Sequence, residues 1–437
     1  MVRRMKLVNF VQHKVHTYCT RVFNMDIECR AAFFVLACSL INMFLSVLSV
    51  FAVGAYLLFN KKRFTAIRSD NNNLFAFAFV ALTLIVALFY GNFLGVLVSL
   101  FVFFAFVIMM SFCSKITRKI FEDFITLYLS YSVFAFIVAV VEKFIFGAKD
   151  SVYRSSSTFL NPLYYSYFIA FAVIFCAYRL AVLPRWKAMN VAVLLINVFA
   201  MLLSGGRMPW MGMFAGTLIT LMLCRKYKLV AIFSGGIFLM VLTAILFPDL
   251  EILRALRLDS ITSGYTSRIP YWNMALEGFG KQPLFGKGFL GMLNDTMKSS
   301  SESISKVPFS LDFAKMLTNV KNSGAKLHAH NIIFDCLYNF GIFGTMILAL
   351  CLLRYCTHMY RDLGYNSSNP HIALLAGILV AIGVNGILDN QIIGPQTSVF
   401  TILIFSMCAI KEEKSRNVNT VEARQKPPSG KVYIPHK

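Results

Sequence analysis

Leu74–Cys113 reads LFAFAFVALTLIVALFYGNFLGVLVSLFVFFAFVIMMSFC and contains no charged residue. A helix needs about 20 apolar residues to cross a ~30 Å hydrocarbon core. The stretch therefore holds two crossings, with Gly91-Asn92 as the turn between them. Apolar runs recur at Ala31–Phe59, Phe121–Phe146, Pro162–Leu183, Ala188–Leu203, Met208–Cys224, Leu229–Phe247, Ile332–Leu353, Ile372–Leu388 and Ser398–Ile410. Of the 437 residues, 58% are hydrophobic and 14% charged, and the mean hydropathy is +0.67. A soluble chain of this length needs more charge to cover its surface. The expected fold is an all-α polytopic membrane protein.

Charge sets the orientation. Basic clusters at Lys61–Arg68, Lys115–Lys119, Arg185–Lys187, Arg225–Lys228 and Arg354–Arg361 alternate with nearly uncharged turns. Positive-inside reasoning places them, and the basic tail 411–437, in the cytoplasm. Residues 1–30 carry Arg3, Arg4, Lys6, Lys14, Arg21 and Arg30 and belong on the same side. Their apolar residues are interrupted by His13, Lys14, His16 and Arg21, unlike a cleavable signal. Two cytoplasmic ends require an even count. Ala31–Phe59 is too long for one untilted helix and short for two, so a cramped hairpin is expected there. That makes about twelve crossings; eleven is the alternative if the run crosses once. The chain then divides into a cytoplasmic segment 1–30, a helical block 31–247, a periplasmic loop 248–331, a second helical block 332–410 and the tail.

The net charge of +22 is spread through short inter-helix loops. Topology and attraction to anionic inner-membrane lipids account for that pattern. Nucleic-acid binding, which needs a concentrated basic patch, does not. None of the ten cysteines lies between Pro248 and Asn331, so the loop has no disulfide staple and the cysteines read as small core residues.

The loop has its own pattern. Ser267 is the expected N-cap of a helix with Pro270 in its first turn. Trp272, Ala275, Leu276 and Phe279 follow at helical spacing, and Gly278, Gly280 and Pro283 end the run. A second amphipathic pattern runs through Phe313, Met316, Leu317 and Val320. Both helices are expected on the bilayer surface or over a cavity. Lys281 to Gly288, KQPLFGKG, is a Gly/Pro turn whose two glycines are too widely set for a phosphate loop.

Chemistry-bearing residues gather at the loop edges. Leu327-His328-Ala329-His330-Asn331 sits where the polar loop runs into the apolar Ile332–Leu353. The bland roles are a cap or tether for His330 and a structural place for His328. Arg207 follows Ser204-Gly205-Gly206 at the outer surface, where an arginine is expensive and has an anionic partner, be it a substrate, a headgroup or a carboxylate. Arg268 opens the amphipathic helix, and alone it would read as a solvated surface arginine. Asp335 and Asp389 lie near the same edge; Asp335 either orients a histidine or carries a structural hydrogen bond. Two guanidiniums bind a diphosphate through bidentate charge-assisted bonds. A neutral imidazole takes a proton from an acceptor hydroxyl, and arginines alone stabilise charge on a departing diphosphate. Glycosyl transfer from a lipid-linked diphosphate uses all three residues.

Five motifs then show a family resemblance. Ser204-Gly205-Gly206-Arg207, Ser267-Arg268-Ile269-Pro270-Tyr271-Trp272, Pro283-Leu284-Phe285-Gly286-Lys287-Gly288, His328-Ala329-His330-Asn331 and Asn339-Phe340-Gly341-Ile342-Phe343-Gly344 resemble, in order, the motifs of the bacterial O-antigen ligase and polymerase superfamily. Tyr153-Arg154 through Phe159-Leu160-Asn161-Pro162 resembles an earlier element, with Ser155–Ser157 where the family often has a glycine. The resemblance covers Tyr153 to Gly344. It implies an enzyme of the inner membrane that moves a glycan from undecaprenyl diphosphate to the lipid A–core oligosaccharide, with no metal and no cofactor. It maps diphosphate binding onto Arg207 and Arg268, a possible substrate role onto Arg154, and the catalytic histidine onto His330. Ligase and polymerase share donor and architecture; the His-x-His-Asn form resembles ligases. A transporter, the third alternative, is disfavoured because the charges gather at the outer edge and not at mid-membrane.

Overall fold

The computed structural model describes residues 17–60, 74–145, 155–183, 187–247, 266–301, 328–362, 370–390, 394–406 and 410. Among the described residues the regular structure is helical throughout, with no strand. The helices are α1 (Ile27–Ile41), α2 (Met43–Phe59), α3 (Leu74–Phe89), α4 (Phe93–Cys113), α5 (Arg118–Phe144), α6 (Pro162–Val182) and α7 (Lys187–Ser204). They continue as α8 (Arg207–Leu223), α9 (Tyr227–Leu246), α10 (Ile269–Lys281), α11 (Gly291–Ser301), α12 (Ile332–Asp362), α13 (Pro370–Leu388) and α14 (Pro395–Ile404). Seven of the described helices are long and apolar enough to cross a membrane. The expected periplasmic pattern at Phe313–Val320, the Lys61–Arg68 cluster, Arg154 and the tail 411–437 lie outside the described residues.

Ala31–Phe59 folds back on itself. Asn42 is extended (φ −159°, ψ 147°), and its side chain accepts from the Phe44 N–H at 2.7 Å, ending α1 and capping α2. Ser39 Oγ on one arm meets Ser46 Oγ on the other at 2.9 Å. At the opposite end of α1, Asp26 lies 3.7 Å from Lys115 Nζ. The return arm runs beside α4, with the Phe51 ring against Phe101 and Phe104.

The centre is α6, whose residues from Tyr165 to Arg179 are all buried. Beside it α8 and α13 approach backbone to backbone. A Cβ at Gly216 would meet the Gly377 carbonyl oxygen at 2.5 Å, and one at Gly212 would meet Asn385 Nδ2 at 2.5 Å. Small residues allow such crossings in a membrane, where dispersion contacts and not hydrophobic exclusion hold helices together. By contrast α9 buries only Ala244 and turns Ile232, Phe238, Leu239, Ile245 and Leu246 outward. Such a surface suits lipid.

The segment between α9 and α12, the outer segment of the expected topology, is stitched to a broken helix. Within α12, Gly341 is non-helical (φ 61°, ψ −167°). The break frees backbone groups that the Pro283–Gly288 turn satisfies. Ile342 N–H donates to Pro283 O at 2.8 Å and Phe343 N–H to Leu284 O at 3.0 Å. In return Lys287 and Gly288 N–H donate to Asn339 O at 3.0 and 2.7 Å, and Gly291 N–H donates to Asn339 Oδ1 at 2.9 Å. A Cβ on Gly341 would sit 2.5 Å from the Leu284 carbonyl carbon, and one on Gly286 2.5 Å from that of Asn339. Irregular backbone at membrane depth persists only when protein pairs it in this way.

The stitching positions α10. Gly278 packs on the Tyr338 ring, and Ala275, Met292, Ala329 and Tyr338 form a small apolar cluster backed by Trp272, Met274 and Phe334. One expectation is corrected here. Ser267 is not the N-cap: Arg268 occupies that position in αR geometry with no side-chain cap bond. Pro270 in the first turn brings no N–H of its own, so one orphan donor fewer needs a cap. Leu276 is 45% exposed, because Tyr338 closes on the small residues Ala275 and Gly278 and leaves Leu276 outside. The polar stretch Gly291–Ser301 also folds into a helix, which apolar spacing does not announce.

Gly341→Ala is expected to lower the thermal midpoint in detergent, since left-handed φ alone costs an L-residue about 1–2 kcal/mol and its Cβ would strike Leu284. Gly235→Ala in α9, with nothing within 4 Å of the new Cβ, should leave the midpoint unchanged or raise it slightly. Equal midpoints for the two variants would show that the stitch does not hold the outer segment.

Candidate active site at the outer-loop end

The Gly91-Asn92 turn and the outer segment share one end of the molecule, away from Lys115: Asn92 Nδ2 donates to Phe289 O at 2.8 Å, and Tyr90 bonds Gln282. Here His328-Ala329-His330-Asn331 leads into α12. Asn331 Oδ1 accepts from the N–H of Ile333 at 2.9 Å and Phe334 at 3.1 Å, as an N-cap does, and its Nδ2 donates to Ile387 O at 2.7 Å. Asp335, one turn inside, takes the Ala329 N–H on Oδ1 at 2.6 Å and Asn390 Nδ2 on Oδ2 at 2.9 Å. Clamped from both sides, His330 adopts φ 56°. That left-handed value is uncommon for a residue with a Cβ and persists only where the surroundings over-determine it.

The clamp aims the imidazole. His330 Nδ1 lies 3.1 Å from Asp389 Oδ1, just past the end of α13. The other carboxylate oxygen, Oδ2, lies 3.6 Å from Arg268 Nη2. Tyr271, in the first turn of α10, sets its ring at 90° to that of His330 with centroids 5.3 Å apart, and the His328 ring is 4.1 Å away. The Asp389 side chain is 3% exposed and that of His330 29%, so the carboxylate is inside and the imidazole edge is open.

Electrostatics fix the roles. Burial pushes the Asp389 pKa up, but the His330 hydrogen bond and the charges of His328, His330 and Arg268 outweigh it and hold the carboxyl below its usual value. Asp389 is thus an ionised acceptor, and His330 Nδ1 is the donor to it. Burial lowers the His328 pKa, yet the hydrogen bond and charge of Asp335 and the charge of Asp389 win and raise it. His328 Nδ1 has two competing partners, the His330 N–H at 3.1 Å and Asp335 Oδ2 at 3.6 Å. A neutral ring accepts from the amide; a protonated ring donates to the carboxylate. Burial pulls the Arg268 pKa down and Asp389 opposes it; a guanidinium stays charged regardless. His328, His330 and Asp389 each offer a metal-ligand atom within 4.8 Å of the others, and in this arrangement Asp389 has Arg268 as counter-charge.

The structure brings His328, His330, Arg268, Asp335 and Asp389 together. Arg207 is the first residue of α8, half-buried, with Gly205 at φ 62° before it. Gly212 opposes Asn385 and Gly216 opposes Gly377, so this antiparallel register carries Arg207 to the same end as Asp389. Being at a helix N-terminus, it adds its charge to the positive end of the dipole. Arg154 lies outside the described residues, but the serines after it have a clear task. Glu142, at the end of α5, accepts from Ser155 Oγ at 2.6 Å, Ser156 N–H and Oγ at 3.0 Å each, and Ser157 N–H at 2.8 Å. Asn161 then caps α6 by accepting from Leu163 N–H at 2.8 Å. Glu142, Asn390 and Tyr271 carry no spacing signal of their own. A lone carboxylate closing an apolar helix was the one available hint, for Glu142.

These features define a multi-pass helical membrane protein with an imidazole, a carboxylate and a guanidinium converging at one end. The family model described as O-antigen ligase matches one stretch of the chain, residues 190–349. That stretch contains Arg207, Arg268, His328, His330 and Asp335. No curated protein matches the chain.

Asp335→Ala strands the Ala329 amide and the Asn390 side chain, about 1–3 kcal/mol for each buried group left unpaired. The thermal midpoint should fall in the Ala variant, and Asp335→Asn, which keeps one acceptor, should fall less. Identical midpoints for wild type and Asp335→Ala would show that the turn is held by other contacts.

Proposed function

We propose that this protein is an O-antigen ligase of the bacterial inner membrane. It transfers O-polysaccharide from undecaprenyl diphosphate to the lipid A–core oligosaccharide at the periplasmic face. In this reading the chain crosses twelve times with both ends in the cytoplasm; the fold-back at Asn42 supports the even count. The outer segment then lies in the periplasm, beside the site.

One observation carries the chemistry: Asp389 holds His330 Nδ1 with one oxygen and faces Arg268 with the other. The acceptor hydroxyl attacks the anomeric carbon of the donor glycan. Its proton passes to His330 Nε2, while Asp389 steadies the imidazolium that forms. The bond from the anomeric carbon to the diphosphate oxygen breaks, and its electron pair leaves with undecaprenyl diphosphate. Arg207 and Arg268 bind the diphosphate and stabilise the charge that grows on it, so the step needs no metal. Arg154 is a further candidate for donor binding. Ile269 and Leu276 are exposed on the outer helix, and such apolar residues suit contact with lipid-borne substrates.

The lipopolysaccharide ladder of a deletion strain tests this reading. Loss of a ligase leaves core without polymer while the lipid-linked glycan accumulates. Core carrying a single repeat unit would instead make the protein a polymerase, and a normal ladder would count against both.

His330→Ala is expected to slow transfer by about 10²–10⁴ while donor binding stays nearly intact, and His328→Ala to weaken transfer only modestly. A reconstituted assay with a parallel donor-binding titration reads both. Weak donor binding with normal turnover at saturation in His330→Ala would make His330 a diphosphate ligand.

Arg207→Lys and Arg268→Lys keep the charge and lose the planar fork. Each should raise the barrier by about 2–4 kcal/mol, roughly 30- to 1000-fold in rate. Near wild-type rates in both variants would reduce the arginines to general electrostatics.

A further inference from the structure

His328, His330 and Asp389 make a donor set as well as a proton path. Their ligand atoms lie within 4.8 Å of one another, His330 Nδ1 is 3.1 Å from Asp389 Oδ1, and the two rings are 4.1 Å apart. Two imidazoles and a carboxylate suit a borderline divalent cation, Zn²⁺ foremost, bound at roughly 2.0–2.2 Å with a fourth position left for water. An outer-shell partner stands beside it. With a cation on His328 Nε2, the ring proton sits on Nδ1, which gives up the His330 N–H at 3.1 Å and turns to Asp335 Oδ2, 3.6 Å away; carboxylate–imidazole–metal is the usual way such a ligand is oriented. Asp335 is itself held by Ala329 and Asn390. The exposed edge of His330 gives the ion an entry from water.

We propose that this triad is an inhibitory site for Zn²⁺ and cations of the same class. The ion replaces Arg268 as the counter-charge of Asp389. If it binds His330 Nδ1, the one proton of the neutral ring must move to Nε2, where the base needs a lone pair. If it binds Nε2, it takes that lone pair directly. Both routes remove the base without making or breaking a bond to carbon or phosphorus. Binding requires the three ligand atoms, within 4.8 Å of one another, to draw in to bonds of roughly 2.0–2.2 Å; inhibition rests on the reading of His330 as the base.

The test uses the untagged full chain in detergent, titrated calorimetrically with ZnCl₂, beside the transfer assay with and without Zn²⁺ and with chelator added back. The expected result is one Zn²⁺ bound by wild type and lost in both His328→Ala and Asp389→Asn. Asp335→Asn should weaken binding about 10- to 100-fold through the outer shell. Inhibition should follow occupancy and reverse with chelator. Co²⁺ in wild type needs no variant to fold: visible bands of a tetrahedral imidazole site are expected, and the spectrum of the aqueous ion would overturn the proposal. Zn²⁺ bound equally by wild type and both triad variants would overturn it too, since the ion would then sit on the chain's other histidines. Zn²⁺ held by the triad with transfer unimpaired overturns the inhibition and the role of His330 as base, whereas absent binding leaves the transfer reading untouched.

Discussion

Everything at the outer-loop end depends on a helix that breaks and is mended by another part of the chain. At Gly341 the backbone of α12 leaves helical geometry, and in a low-dielectric setting each unpaired N–H or C=O would cost several kcal/mol. The Pro283–Gly288 turn removes that cost by pairing with Asn339, Ile342 and Phe343. Main chain pairs with main chain, so the fit demands close approach and tolerates no Cβ at Gly286 or Gly341. A loop held only by side chains would have room to shift. This one is tied to the scaffold about three turns from the histidines, and α10 inherits that rigidity through Gly278 and Tyr338.

The site follows from that placement. Three elements far apart in sequence each contribute one charged or titratable group: Arg268 before α10, His330 before α12 and Asp389 after α13. Asp389 is nearly inaccessible, and a buried carboxylate is expensive unless paired and hydrogen-bonded. Its partners meet that need, so the same pairing that makes the ion tolerable sets the tautomer of His330. Stability and chemistry are here one set of contacts. In the proposed reaction a diphosphate offers Arg268 another anion, which weakens its hold on Asp389 just as His330 is asked to gain a proton.

The sequence was legible where a single residue type carries a large free energy. Apolar run length marked the helices, and Asn42, inside a run too long for one helix, explains why the expected hairpin closes there. Ser204-Gly205-Gly206 marked the break before Arg207, and α8 starts there. Asp335 was left between orienting a histidine and a structural bond; it bonds Ala329 and Asn390 and also faces His328. Illegible features depended on distant partners. The N-cap moved off Ser267, Leu276 stayed outside the packed face, and Gly291–Ser301 became helical on the strength of contacts that no local pattern records.

By itself the sequence determined that the chain is a bundle of apolar helices and where the polar segment interrupts it. Those follow from transfer free energies, which are properties of local composition. Only the tertiary structure decided that Asp389 joins His330 to Arg268, that serines 155–157 wrap Glu142, and that Gly341 is where α12 opens to receive the outer segment. Each of these is a pairing across tens or hundreds of residues. Hydrogen bonds and ion pairs act over a few ångströms, so they exist only once packing has brought the partners there.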